Sequence, residues 1–167
     1  QVSKDNPLVG LSRRAVLLAN LASRMDAFPR FRQADGSCRL GNLLMEHEPG
    51  ERLPAERLLH ELLLAFNPIW PDSLMVDDQH LGDVGRHSKV GLVPFHKLSQ
   101  WLAYSLIEPL QERGVDVVDI DGLTGLPEYR NGGLFMDTGV LALRDPKASE
   151  QIHADDSELI VEWRALT

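Results

Sequence analysis

From Val93 to Arg113 the chain carries its strongest helical pattern. Phe95, Leu98, Leu102, Leu106 and Leu110 recur at helical spacing, Pro109 is placed to kink the end, and Gly114 offers a terminator. Other segments repeat the theme. Leu11 to Phe28 has an apolar stripe of Leu11, Val16, Leu17, Leu18, Leu21 and Met25, bracketed by Gly10 and Pro29. Pro54 suits the first turn of a helix through Phe66 that carries Leu58, Leu59, Leu62 and Leu63 on one side. Further helices are expected over Tyr129 to Thr138, where Gly132 and Gly133 weaken the pattern and Gly139 ends it, and from the cap Ser157 to Thr167. Gly36 to Arg39 reads as a turn before an apolar patch at Leu40 to Met45, and prolines break the helix between Asn67 and Pro71. Short strand readings fall at Val115 to Ile120, which could also open a hairpin, and at Val140 to Leu143. Asp72 to Lys89 is polar and reads as a loop. The expected fold class is mainly α with minor β, in a single helical domain over residues 1–167 with a polar loop at about 72–90.

Length and charge narrow the function. A chain of 167 residues suits one core. With 25 acidic and 17 basic residues, its formal charge of −8 repels phosphate backbones, and no basic run compensates, so no nucleic-acid partner is expected. Cys38, the lone cysteine, rules out an internal disulfide and an all-cysteine zinc site and fits a reducing, cytoplasmic setting. No apolar run approaches the roughly 20 residues of a membrane-spanning helix, so no membrane partner is expected. Gln1 at the start and an amphipathic stretch at the end give the chain the look of a fragment.

Three constellations could carry chemistry. At about 100° per residue, Lys97, Gln100, Trp101, Tyr104 and Glu108 share the face opposite the leucines. That face is either a solvated surface or, given its two large rings, the wall of a ligand site. The run Leu126-Pro127-Glu128-Tyr129-Arg130-Asn131-Gly132-Gly133 is an ordinary helix start in which Glu128 favours the positive end of the dipole. Its functional alternative directs Glu128 into a cleft near Lys97, as a general base or a stabiliser of a cation. His80, Asp83 and His87 could ligate zinc with an open position, although no HExxH pattern or clear helix fixes their geometry. Asp119-Ile120-Asp121-Gly122 resembles the start of a calcium loop but lacks its twelfth-position glutamate. GxxxxGK[ST] and Gly-x-Ser-x-Gly are both absent, which excludes a P-loop site and the usual serine-hydrolase elbow.

Two long segments bear a family resemblance. Val93-Pro94-Phe95-His96-Lys97-Leu98-Ser99-Gln100-Trp101-Leu102-Ala103-Tyr104 through Leu110, and Leu123 through Leu134 continued to Leu141, resemble the hallmarks of the uracil-catabolism family, component four of its pathway. The likeness runs from about Pro7 to Thr167, and members of that family are longer. A more distant likeness is to the queuosine-nucleotide N-glycosylase (queuosine salvage) family. Phe95-His96-Lys97-Leu98-Ser99-Gln100 is similar to its F-Y-K-R-A-Q helix, and Glu128-Tyr129-Arg130 with Gly139-Val140-Leu141 to its D-Y-R-V-P-Q and G-V-L segments. Lys97 and Gln100 match directly; Glu128 stands where that family has aspartate. Gly132 and Gly133 stand where it has Pro-Gln, so contacts to a large base do not transfer and a smaller leaving group fits.

The resemblance implies a DNA-glycosylase-like helical fold and hydrolysis of a ribose–nitrogen bond in a ribosylurea-type intermediate, without a metal or other cofactor. It gives Glu128 and Lys97 the catalytic positions. Arg130, Gln100, Tyr104, Trp101, Tyr129 and Asp83 would bind a small ribosyl substrate, in an oligomeric state the sequence leaves open. Two rivals predict other things. A metal-dependent amidohydrolase or cyclohydrolase acting on a pyrimidine-derived ring would hold zinc at His80, Asp83 and His87. A non-catalytic pathway scaffold would expose an apolar patch.

Overall fold

The computed structural model describes residues 3–8, 10–126 and 128–167. In chain order the elements are α1 (Leu11–Ala27), α2 (Asn42–Met45), β1 (Arg52–Pro54), α3 (Ala55–Phe66), β2 (Met75–Val76) and β3 (Gln79–His80). There follow β4 (Val84–His87), β5 (Gly91–Pro94), α4 (Lys97–Glu112), β6 (Asp116–Val118), α5 (Tyr129–Asp137) and α6 (Glu158–Leu166), with short 3-10 turns between several of them. The fold is mainly helical, and its strands are short. Pro127, expected at a helix start, lies outside the described residues. The chain groups into two compact units, Gln1–Gly82 with Ser99–Leu123, and Asp83–Leu98 with Thr124–Thr167.

The first unit holds a core of Phe31, Leu43, Leu53, Leu58, Leu62, Leu110, Val115 and Val117. In α3 the buried Ala55, Leu58, Leu62 and Ala65 stand three or four residues apart, so one stripe faces inward. Glu61 shares that stripe. Its carboxylate is accommodated because Arg30 (3.0 Å), Arg57 (3.2 Å) and His47 (3.3 Å) surround it. β1 and β6 pair in parallel, with the buried Leu53 opposite the buried Val117; the Val115–Ile120 strand is thus a parallel partner and not half of a hairpin. Gly114, at φ 93°, ends α4 by adopting a left-handed conformation suited to glycine.

Several expectations change here. α4 begins at Lys97, because Val93 and Pro94 belong to β5 and His96 has φ 45°, a value that no right-handed helix continues. The inward face of α4 is rotated relative to the leucine stripe: Leu110 is buried and Leu102 and Leu106 pack partly buried on the core, but Leu98 turns away. Ser99, Gln100, Ala103 and Leu110 are buried, whereas Leu98 is 57% exposed. Small side chains at Ser99 and Ala103 let the helix backbone approach the core, and the leucine stripe is displaced sideways. In α1, likewise, Leu11, Val16 and Leu18 are exposed, and Met25 packs on the core. The polar stretch after Asp72 contains β2, β3 and β4 rather than a continuous loop. Asp77 and Asp78, at φ 47° and 61°, close the β2–β3 hairpin in the left-handed pair of conformations a two-residue turn requires. No strand forms at Val140 to Leu143.

The second unit packs the antiparallel β4–β5 hairpin and α5 against α6. Two glycines permit that packing. A Cβ on Gly85 would meet Val161 Cγ2 at 2.7 Å, and the ring of Trp163 lies so close to Gly132 that a Cβ there would overlap it. Gly133, one residue on, has open space around it.

That contrast yields a paired test on α5. Gly133→Ala should stabilise the protein by roughly 0.5–1 kcal/mol through helix propensity. Gly132→Ala gains the same propensity but must displace the Trp163 ring, and overpacking of that kind costs about 1–3 kcal/mol. Urea unfolding that found Gly132→Ala at least as stable as Gly133→Ala would contradict this packing.

Candidate functional site

The second unit gathers charges around two anchored side chains. Asp83, immediately before β4, places its carbonyl where it accepts the N–H groups of Phe95 (3.0 Å) and His96 (3.1 Å). This fixes the junction between β5 and α4. The Asp83 carboxylate accepts both its bonds from Nη2 of Arg164 on α6, at 2.6 and 2.8 Å. Arg164 Nε donates to Tyr129 Oη at 2.8 Å, and the guanidinium carbon lies 3.9 Å from the Phe95 ring centre. Burial alone would lower the pKa of Arg164, but the bonds to Asp83 and Tyr129 and their charges more than offset it, so the net direction is upward. Burial pushes the Tyr129 phenol upward.

Tyr129 connects this anchor to the second cluster. Lys97, the first residue of α4, holds its ammonium 4.8 Å from the Tyr129 ring centre and 3.6 Å from Glu128 Oε2. Glu128 caps α5 by accepting the Arg130 backbone N–H at 3.3 Å. It also accepts from the Arg130 guanidinium, Nε at 2.9 Å to one oxygen and Nη2 at 3.1 Å to the other. The Arg130 side chain, its backbone N–H and, more weakly, Lys97 hold the Glu128 carboxyl down to a pKa of about 2. The carboxylate therefore remains ionised at any physiological pH and has little affinity for a proton. It can stabilise positive charge, and in this paired state it is a weak base.

Lys97, Glu128, Tyr129, Arg130 and Asp83 thus share the second unit. Gln100, Trp101 and Tyr104 belong to the first: Gln100 is buried, Tyr104 packs against that unit's core, and Trp101 is 60% exposed. Two of the three possible zinc donors, Asp83 and His87, have other partners. His80 lies in the first unit, Asp83 binds Arg164, and His87 Nε2 is 3.0 Å from Glu162 Oε1 while its Nδ1 accepts the Lys89 N–H. Among the described residues no three His, Cys, Asp or Glu side chains are arranged to hold a metal ion. An open hollow of about 420 Å³ lies between the end of β5, Thr124 to Leu126, and the end of α6 from Arg164 onward; Lys97 and Glu128 do not line it.

Sequence reasoning passed over two residues at this site. Arg164 had one signal: it lies three residues after the buried Val161, so a charge on the inward side of α6 needed a carboxylate partner. His96 had none. Its positive φ and its buried, unpartnered Nδ1 emerge only from the strand–helix junction, and burial lowers its pKa, which favours the neutral ring.

Fold and site together define a mainly helical protein with a cluster centred on one carboxylate, two cations and a phenol. The chain belongs to the DUF1688 family, described as a protein of unknown function, whose model matches residues 1–167. It is similar to Protein urg3 of Schizosaccharomyces pombe, 40% identical over 169 residues covering all of this chain and 41% of that protein. It is also similar to Uracil catabolism protein 4 of Lachancea kluyveri, 35% identical over 201 residues covering all of this chain and 46% of that protein. The chain therefore spans less than half the length of these curated relatives. No solved structure matches it.

Two measurements check the electrostatics. Because the folded pKa of Glu128 is depressed, its pairing contributes stability fully above the ordinary carboxyl value of 4.5 and loses it as pH falls through about 2. Carboxyl carbon NMR should place the midpoint near 2 and move it toward 4.5 in Arg130→Gln; an unshifted midpoint in the wild type would refute the pairing. In Arg164→Leu, Asp83 and the Tyr129 hydroxyl lose their partner, and denaturant unfolding should show a loss of roughly 1–3 kcal/mol.

Proposed function

We propose that the protein acts in uracil catabolism by hydrolysing the N-glycosidic bond of a ribosylurea-type intermediate, so that urea leaves ribose. In that reaction a water oxygen bonds to the anomeric carbon as the carbon–nitrogen bond breaks. One water proton is released, and the departing nitrogen is protonated. Positive charge develops on the anomeric carbon and the ring oxygen before the new bond is complete. The observation that carries the reading is Glu128, a carboxylate kept ionised by Arg130 and Lys97 on a solvent-accessible rim of the second unit. Its low proton affinity suits electrostatic stabilisation of that charge better than proton abstraction.

The other residues take roles consistent with their positions. Lys97, held over the Tyr129 ring and 3.6 Å from Glu128, orients that carboxylate and is assigned to assist the leaving urea nitrogen. Asp83 acts through Arg164 and Tyr129, as a positioning group. Gln100, Tyr104 and Trp101, beyond the boundary of this unit, have weaker support as contacts to substrate. Support from relatives comes from the name of the Lachancea kluyveri protein, which refers to uracil catabolism. The DNA-glycosylase-like architecture implied by the distant resemblance is part of the same reading.

The deciding variant is Glu128→Gln in the full-length protein, with urea release from ribosylurea and its 5′-phosphate as the assay. The amide keeps the shape and removes the charge, so turnover should fall by about 10²–10³ with the melting temperature little changed. Turnover at the parental rate would remove Glu128 from the mechanism.

A further inference from the structure

The two cations that hold Glu128 differ in freedom. Lys97 is 25% exposed and rests over the Tyr129 ring, which Arg164 in turn fixes. Arg130 is 88% exposed, and among the described residues its guanidinium pairs with Glu128 alone, binding both carboxylate oxygens. A carboxylate whose two oxygens are both taken by a guanidinium presents little of its charge to a sugar. For Glu128 to face an anomeric carbon, the Arg130 fork must turn away, and its exposure leaves it free to do so. An exposed guanidinium exchanges a carboxylate for water or for another oxyanion, and among oxyanions a phosphate monoester offers a similar pair of oxygens with greater charge.

We infer that Arg130 is an exchangeable latch: it covers Glu128 in the ligand-free state and transfers to the phosphate of a phosphorylated ribosyl substrate, uncovering the carboxylate for the sugar. The inference rests on the hydrolytic reading above and narrows its substrate class to a sugar phosphate. Lys97 remains with Glu128 throughout, so the carboxylate keeps one cation and its ionised state. The depressed pKa of Glu128, traced first to Arg130, agrees with a latch that is closed at rest.

The exchange makes an unusual demand: Arg130 and Glu128 must have opposite effects on binding. Isothermal titration of the full-length protein with ribose 5-phosphate, ribose and inorganic phosphate measures this without turnover. Arg130→Gln should weaken ribose 5-phosphate about tenfold or more, the loss of a charge-assisted bond, and should not weaken ribose, for which the uncovered carboxylate is already available. Glu128→Gln frees the guanidinium from its competitor and should bind ribose 5-phosphate more tightly than the wild type. Unchanged affinity in Arg130→Gln, or weaker affinity in Glu128→Gln, would overturn the latch. Inorganic phosphate bound as tightly as ribose 5-phosphate would overturn the assignment to a sugar phosphate. The two readings fail separately: the binding pattern without urea release removes hydrolysis alone. Equal kcat/KM for ribosylurea and its phosphate, both indifferent to Arg130→Gln, removes the latch alone.

Discussion

A guanidinium withdrawn from water sets the order of the second unit. Arg164 is mostly buried, and a lone buried cation costs several kcal/mol, so its surroundings must compensate by direction and by charge. Asp83 supplies the charge with two bonds from one nitrogen, and Phe95 and Tyr129 supply ring faces. The same Asp83 holds the N–H groups of Phe95 and His96 through its carbonyl. One residue thereby ties α6 to the end of β5 and fixes the residue from which α4 departs. Lys97 follows directly. Its ammonium reaches Glu128 because the peptide before it is pinned and the ring beneath it is bonded to Arg164.

The first unit answers a similar problem differently. Glu61 sits on the inward stripe of α3, where periodicity alone would place a hydrophobic residue, and Arg30, Arg57 and His47 converge on it. Glu51 lies 3.2 Å from the other nitrogen of His47 and 3.3 Å from Arg57. Charges of both signs alternate across that cluster, and its members come from separate segments of the chain. Such a network holds segments in register as well as any apolar contact does, provided every member is satisfied.

Much of this was legible in the sequence where local rules suffice. The helices of α1, α3, α4 and α6 follow from apolar spacing and from Gly or Pro at their ends, and Gly114 ends α4 as its position implies. The faces of the helices were less legible, because burial is decided by what packs opposite: Leu98 is periodic and exposed, whereas Ser99 and Gln100 are polar and buried. The hairpin at Asp77-Asp78 is hidden in a uniformly polar stretch, although two adjacent aspartates can supply a turn signal. Lys97 and Glu128 were singled out as a pair by their motifs, whereas Arg164 and His96 gain meaning only from contacts distant in sequence. Asp83 lies 81 positions before Arg164.

Solvent access determines how far the Glu128 cluster can act. Two unit charges about 4 Å apart interact by about 1 kcal/mol in bulk water and about 4 kcal/mol at an effective dielectric of about 20. Stabilising a developing cation by several kcal/mol therefore requires that water leave the carboxylate. Glu128 is 34% exposed in the ligand-free arrangement, and the hollow beside Arg164 does not enclose it. A bound sugar covers one side of a carboxylate and displaces some of that water. In the proposed reaction, any remaining cover would have to come from polypeptide outside this cluster. The cluster would there supply charge and orientation, and exclusion of water is the part it would not supply alone.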